Sequence, residues 1–350
     1  MGHACPLSHP AQLVEWIAQM NVRPDCAPNL FEEPVLRRRF RGALLSWYDL
    51  KQRKLPWRLN RDPYRGWVAE IMLQQTRVAA VVSYYDRFLE RFPTVEKLAS
   101  ARLDSVLAAW SGLGYYRRAR MLHAAAKRIV NHDSGRFPTC AQDWENLPGV
   151  GRYTAAAIAS IAFQQAIAAV DGNVMRVLSR LAGENISGER SWTLAQALLS
   201  SRRPGDFNQA MMELGATVCL PHDPQCLLCP VGDLCSTRGE LACSVVSRRH
   251  KKEIYYNLSV RDGTVLLTRR SRQASLMAGM WELPEIMPPQ SEVRGTLKLR
   301  HSITVTDYRV RVCQNGHSEV QGGRWFPQSR ISGLPLTGLA RKILRTAGLI

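Results

Sequence analysis

From about Val35 to Ser200 apolar residues recur every three to four positions, a period that predicts helices almost throughout. Arg37–Gln52 sets Phe40, Leu44, Leu45, Trp47 and Tyr48 among basic residues. Further helices are expected over Arg65–Gln75, Val78–Arg91, Leu103–Trp110, Arg117–Asn131, Tyr153–Phe163, Val174–Ala182 and Trp192–Ser200. Breakers separate them: Phe92-Pro93, Gly112-Leu113-Gly114, Phe137-Pro138, Pro148-Gly149, Gly183 and Pro204-Gly205. Short helices on short connections imply a compact all-α domain. A polar, basic stretch, Ser247–Lys252, then reads as part of a linker. Beyond it the runs become short and β-branched: Ile254–Val260, Val265–Thr268, Thr296–Val305 and Tyr308–Cys313, with Asp262-Gly263 as a hairpin signal. Leu339–Ala347 reads as a closing helix, so a smaller α+β domain is expected here.

Composition narrows the partner. The 350 residues carry a formal charge of +18, which favours a polyanion, with DNA or RNA first and an anionic membrane surface second. An apolar share of 45% suits a packed globule. No run reaches the ~18 apolar residues of a membrane span, and residues 1–34 resemble neither a secretory signal nor a transit peptide. A cytoplasmic protein, at the nucleoid if bacterial, is the expectation. Of nine cysteines, four crowd into Cys219–Cys235. In a reducing compartment that crowding reads as metal ligation before disulfides.

Three motifs carry candidate chemistry. Leu147–Thr154 contains Pro148, Gly149, Gly151 and Arg152 just ahead of a helix. A glycine hairpin there allows close backbone approach, and free N–H groups at a helix start suit a phosphate. The same hairpin could simply join two core helices. The array Cys219-x6-Cys226-x2-Cys229-x5-Cys235 supplies four thiolates, for which zinc and an iron–sulfur cluster compete. Two carboxylates complete the set. Glu70 lies amid Trp67, Ile71 and Met72, sharing a helical face with Gln74, and an apolar site raises a carboxyl pKa as a general acid requires. Asp171 stands just before a helix, where a plain N-cap is the bland alternative.

Together these residues resemble the endonuclease III superfamily of helix-hairpin-helix glycosylases. Within it, Trp67–Thr76, Gly112–Arg120, Leu147–Thr154 and Val170–Arg176 are similar to adenine DNA glycosylases of the MutY type, over about Leu55–Cys235. Gly279–Pro284 and Arg300–Thr304 resemble, more weakly, that family's NUDIX-like domain. The implied architecture is multi-domain: an N-terminal extension (1–34), an all-α glycosylase domain (35–240) with an iron–sulfur loop at 219–235, a linker (241–253) and a NUDIX-like α+β lesion-recognition domain (254–350). The resemblance implies that Glu70 protonates the departing adenine and Asp171 supports the sugar cation, while Tyr153 and Asn173 assist around the sugar. It makes Cys219, Cys226, Cys229 and Cys235 ligands of a [4Fe–4S] cluster. Gln75 and Tyr115 would enter the base stack, Gly149, Gly151 and Arg152 would contact DNA, and Thr304 would face the lesion.

The expected partner is duplex DNA with adenine mispaired to 8-oxoguanine or guanine, bound by a monomer. Tyr153 replaces the lysine of strand-nicking relatives, so base excision without nicking is implied. Ile303, Thr304 and Val305 replace the family's Phe-Ser-His lesion-reading loop, and no glutamate box for nucleotide hydrolysis follows Pro284. A mismatch glycosylase for thymine or another base, and a non-catalytic iron–sulfur DNA-binding protein, are the alternatives. Arg37, Arg38, Arg39, Arg117, Arg118 and Arg120 are candidates for phosphate contact, of which only some are expected to touch phosphate; solvated helix faces are the bland alternative for all six.

Overall fold

The computed structural model describes residues 29–132, 135–241, 250–274, 276–288, 297–303, 306–314 and 322–350. Its first part is helical: α1 (Pro34–Lys51), α2 (Pro63–Leu73), α3 (Val78–Arg91), α4 (Val95–Ser100), α5 (Leu103–Trp110), α6 (Arg117–His132), α7 (Ala141–Glu145), α8 (Arg152–Phe163), α9 (Gly172–Ala182), α10 (Gly188–Leu198) and α11 (Pro204–Thr217). Starts follow local chemistry. Asp62 caps α2 by accepting from the Arg65 N–H at 2.9 Å, with Pro63 next in the chain. Gly183, at φ +78°, closes α9 in the left-handed conformation that glycine adopts without strain.

Two apolar cores flank the cleft between them. One gathers α2 to α8 around Trp67, Trp110, Trp144 and Phe88. The other gathers α1, α9, α10 and α11 around Phe40, Leu44, Leu178 and Phe207. Leu30 is buried in this second core, so the packed region begins before the expected boundary at 35. Residues 1–28 of the expected extension lie outside the described residues.

Helix α11 runs through residues that sequence reading ended at Pro204-Gly205. It packs on α1, α8 and α9 and is buried on most sides, so it shows no amphipathic period. Gly205 lets it approach closely: a Cβ there would meet the Ser160 carbonyl oxygen at 2.6 Å.

The C-terminal part contains two sheets. One has the order β5 (Glu285–Ile286), β1 (His250–Leu258), β7 (Thr306–Gln314), β6 (Leu297–Ile303), with β1 and β7 parallel. In the other, β3 (Thr264–Arg269) pairs with β2 (Val260–Arg261), β4 (Trp281–Glu282) and β8 (Gly323–Pro327). Asp262 and Gly263 both have positive φ, +47° and +68°, as a tight hairpin demands. The closing helix α13 (Gly338–Thr346) follows the short α12 (Gln328–Ile331) and covers the shared core. The strand β1 begins at His250, so the end of the expected linker is sheet; 242–249 lie outside the described residues.

This part docks on the loop after α5. The Ser111 and Tyr116 hydroxyls both donate to the Leu336 carbonyl, at 2.8 and 3.1 Å, and Tyr116 also accepts from the Gly112 N–H. Arg341 donates to Ser111 at 3.0 Å, and Arg269 grips both Asp104 oxygens at 2.9 and 3.1 Å.

Candidate active site

A cleft of about 1390 Å³ runs between the helical cores and is bordered by the C-terminal part. Helix α2 brings Glu70 to its floor. Only 8% exposed, Glu70 is pushed up to about 7: burial dominates, the Tyr153 hydrogen bond opposes it, Asp171 adds to it and Arg58 opposes. Tyr153, in the first turn of α8, donates its hydroxyl to Glu70 Oε2 at 2.9 Å and lies 3.1 Å from Met212 Sδ. Burial, then the charges of Glu70 and Asp171, raise the Tyr153 phenol well above its usual range, so it stays a donor. Gln74 does not pair with Glu70. It lies past the end of α2 and donates to Thr154 at 3.2 Å.

Asp171 does serve as the cap of α9, accepting from the Val174 N–H at 2.8 Å with Oδ1. Its other oxygen accepts from the Asn173 amide at 2.9 Å, and both residues line the cleft. Arg176 holds Asn173 in turn, donating to its Oδ1 at 2.9 Å and to the Gly215 carbonyl at 2.7 Å. Capping therefore fixes a carboxylate that still lines the cleft.

Sequence reading missed the wall beside Glu70. Glu213 on α11 is almost fully buried and forked by Arg53 at 2.7 and 2.7 Å and by Arg58 at 2.9 Å. Burial pushes its carboxyl up, but the Arg53 and Arg58 hydrogen bonds outweigh it and hold the group at about 2. Trp57 and Leu55 complete an apolar pocket with fixed polar groups, suited to a flat heteroaromatic base.

At the rim stand Gln75 and Tyr115, both exposed and both with positive φ, +54° and +48°. Among the hairpin glycines, Gly149 is the constrained one: φ is +78°, and a Cβ would meet Met121 Cβ at 2.4 Å. Gly151 has φ −100° and starts α8 with no side-chain cap. Arg152 stacks 4.0 Å over Trp192 and pairs with Glu189. For two of the six arginines the alternative of a solvated face does not hold. Arg118 is buried, and Arg120 is half-buried and donates to the Ala278 carbonyl. Charge that is satisfied by carbonyls looks the same in sequence as charge that faces water. Thr304 lies outside the described residues, while His301 and Ser302 of β6 border the cleft.

The four cysteines lie in a loop of two short turns after α11, all partly exposed and free of disulfides. Burial first, and then the neighbouring Cys219, Cys235 and Cys226, raise the Cys229 thiol to about 11 against a lowering hydrogen bond from Val231. Arg180 donates to Cys219 Sγ at 3.2 Å. Four cysteine thiols on one short loop are the donor chemistry of an iron–sulfur site. Among the described residues, no group of three or more His, Cys, Asp or Glu is disposed to hold a metal ion. Among them too, no helix is long and apolar enough to cross a membrane.

Residues 68–195 match the model of the HhH-GPD superfamily base excision DNA repair proteins. The adenine DNA glycosylase of Homo sapiens is 49% identical over 225 residues, covering 60% of this chain and 41% of that one. The adenine DNA glycosylase of Mus musculus is 39% identical over 341 residues, covering 79% of this chain and 66% of that one. This chain thus spans less than two thirds of these relatives' length. The solved structure of a thermostable thymine-DNA glycosylase superposes with a TM-score of 0.55 at 32% identity, covering 58% of this chain and 96% of that one. The family match over residues 68–195 and the helical scaffold shared with that glycosylase place this chain in the HhH-GPD superfamily of base excision DNA repair proteins.

Proposed function

We propose that this chain is a monofunctional adenine DNA glycosylase acting on adenine mispaired with 8-oxoguanine or guanine. The observation that carries the reading is the buried Glu70, held near neutrality and hydrogen-bonded to Tyr153 within the same cleft as Asp171. Protonated Glu70 gives its proton to a ring nitrogen as the C1′–N bond breaks and the base leaves with the bonding pair. Asp171, fixed by Val174 and Asn173, faces the positive charge left on the sugar. Water then adds to C1′, and its proton passes to the Glu70 carboxylate, which restores the acid. Tyr153 carries no amine, so no Schiff base forms and the strand stays intact.

The supporting parts follow the same reading. The free N–H groups opening α8, with Gly149 and Gly151, suit a DNA phosphate. Gln75 and Tyr115 enter the stack as the base is flipped. Cys219, Cys226, Cys229 and Cys235 would hold a [4Fe–4S] cluster, which on binding pins the loop they lie on. The C-terminal sheets form a NUDIX-like domain that reads the opposite base, through His301 and Ser302 as well as Thr304. The relatives named adenine DNA glycosylase favour adenine, whereas the thymine-DNA glycosylase structure covers 58% of this chain. The test is single-turnover excision on duplexes with adenine opposite 8-oxoguanine, guanine or thymine, beside thymine mismatches. Adenine release favouring 8-oxoguanine is expected; thymine release alone would overturn the assignment.

A further inference from the structure

Arg118 heads α6 beside Arg117, and the two look alike in sequence. Arg117 is exposed, whereas Arg118 is 9% exposed. Its guanidinium donates to the carbonyls of Ile71 at 3.0 Å and Met72 at 2.8 Å, at the end of α2, and to the Gln74 carbonyl. It also donates to Thr76 Oγ1 at 3.0 Å, and to the carbonyls of Leu113 at 3.4 Å and Gly114 at 3.2 Å. One cation therefore joins two loops some forty residues apart in sequence, at the end of the helix that carries Glu70.

What these loops present is unusual. Each carries a residue other than glycine in the left-handed region, Gln75 in the first and Tyr115 in the second, and both side chains stand exposed at the cleft rim. Such conformations relax unless the surroundings over-determine them. The carbonyls of Gln74 and Gly114, directly preceding Gln75 and Tyr115, are both held by Arg118. The Tyr115 ring lies 5.3 Å from the same guanidinium. Among the described residues no carboxylate pairs with Arg118; carbonyl dipoles and ring faces surround its guanidinium, while its buried Nε has no hydrogen-bond partner. A planar fork can address acceptors in several directions; the compact ammonium of a lysine cannot.

We propose that Arg118 is a positioning residue that presets the duplex-opening edge, holding Gln75 and Tyr115 in their left-handed conformations before DNA arrives. This rests on the reading of those two residues as the ones that enter the stack. An edge ordered in advance does not have to be ordered on binding.

The test is a double-mutant cycle with Arg118→Lys and the pair Gln75→Ala/Tyr115→Ala, read by single-turnover excision from an adenine:8-oxoguanine duplex. A 2-aminopurine placed beside the adenine reports unstacking. Arg118→Lys is expected to slow excision on the order of 10- to 100-fold, the usual effect of misplacing a positioned group. In the Gln75→Ala/Tyr115→Ala background its effect shrinks to under about threefold. The alkaline limb of the pH profile stays in place, and amide exchange speeds up at 74–76 and 112–116 but not in α8.

Equal losses in both backgrounds, or unchanged exchange in those loops, would overturn the proposal. If Gln75→Ala/Tyr115→Ala excises at the wild-type rate, the stack-entering assignment falls and takes this proposal with it. If the wild type releases no adenine, the glycosylase reading fails, and the exchange pattern alone decides the role of Arg118. Should Arg118→Lys not fold, Thr76→Val removes a single acceptor; faster exchange at 74–76 with a smaller rate loss is expected, and no change in either contradicts the bracing role.

Discussion

Replacing Glu70 by glutamine should stabilise the protein, and increasingly so as pH rises. The native carboxyl ionises near 7 because burial disfavours its charge, whereas in the unfolded chain it ionises near its ordinary value of 4.5. A carboxyl raised on folding favours the native state at low pH and loses that advantage as pH climbs towards the native value. Each pH unit by which folding delays the ionisation costs about 1.4 kcal/mol once the group is charged. Forcing the charge into the cleft therefore costs up to about 3 kcal/mol above pH 8. Glutamine is never charged and escapes the cost. Its advantage over glutamate should grow by about 2 kcal/mol between pH 5.5 and 8.5, whatever constant offset its different hydrogen bonds introduce. In thermal midpoints, the gap widens by about 4–8 °C for a domain of this size. The assay is thermal unfolding of both proteins across that range at fixed ionic strength. Parallel pH profiles would refute the reasoning, because they would mean that Glu70 is not ionised against a desolvation penalty.

Other substitutions probe the remaining contacts. Tyr153→Phe removes the hydrogen bond that opposes the rise at Glu70, so the alkaline limb of the excision profile should move to higher pH; a downward move contradicts that wiring. Gly215→Ala places a Cβ 2.6 Å from Asn173 Cβ and 3.0 Å from its carbonyl, and should cost about 1–3 kcal/mol while slowing excision through the displaced start of α9, both read from one protein preparation. Tyr116→Phe deletes the donor to Leu336 and the acceptor for Gly112, and a lower midpoint by about 1–3 kcal/mol is expected together with faster proteolytic separation of the C-terminal part. The purified protein should carry iron and sulfide with visible absorption, both lost on Cys226→Ala; a colourless zinc protein would exclude the cluster.

The helical scaffold was legible because most helices present an amphipathic period or a clear stop, as α3 and α6 do. Helix α11 was not, because burial on most sides erases the period, and Glu213 was hidden with it. Glu70 and Asp171 were found through their apolar and capping contexts, yet the partner of Glu70 is Tyr153, more than eighty residues away, which no local spacing encodes. The strands β1, β3, β6 and β7 announce themselves by β-branched, aromatic or alternating apolar positions, whereas β4 and β5 are two residues long and form only through pairing. Arg118 shows the limit most sharply: its neighbour Arg117 is equally basic yet exposed, and only the meeting of two distant loops turns Arg118 inward.

The central claim is that Glu70 is the acid for adenine release. Its most direct test is single-turnover base release from an adenine:8-oxoguanine duplex by wild type and Glu70→Gln at pH 6.5. Free adenine with an intact strand that breaks only in alkali is expected from the wild type, and a fall on the order of 100- to 10,000-fold from Glu70→Gln. Release at the wild-type rate by a well-folded Glu70→Gln protein would contradict the assignment.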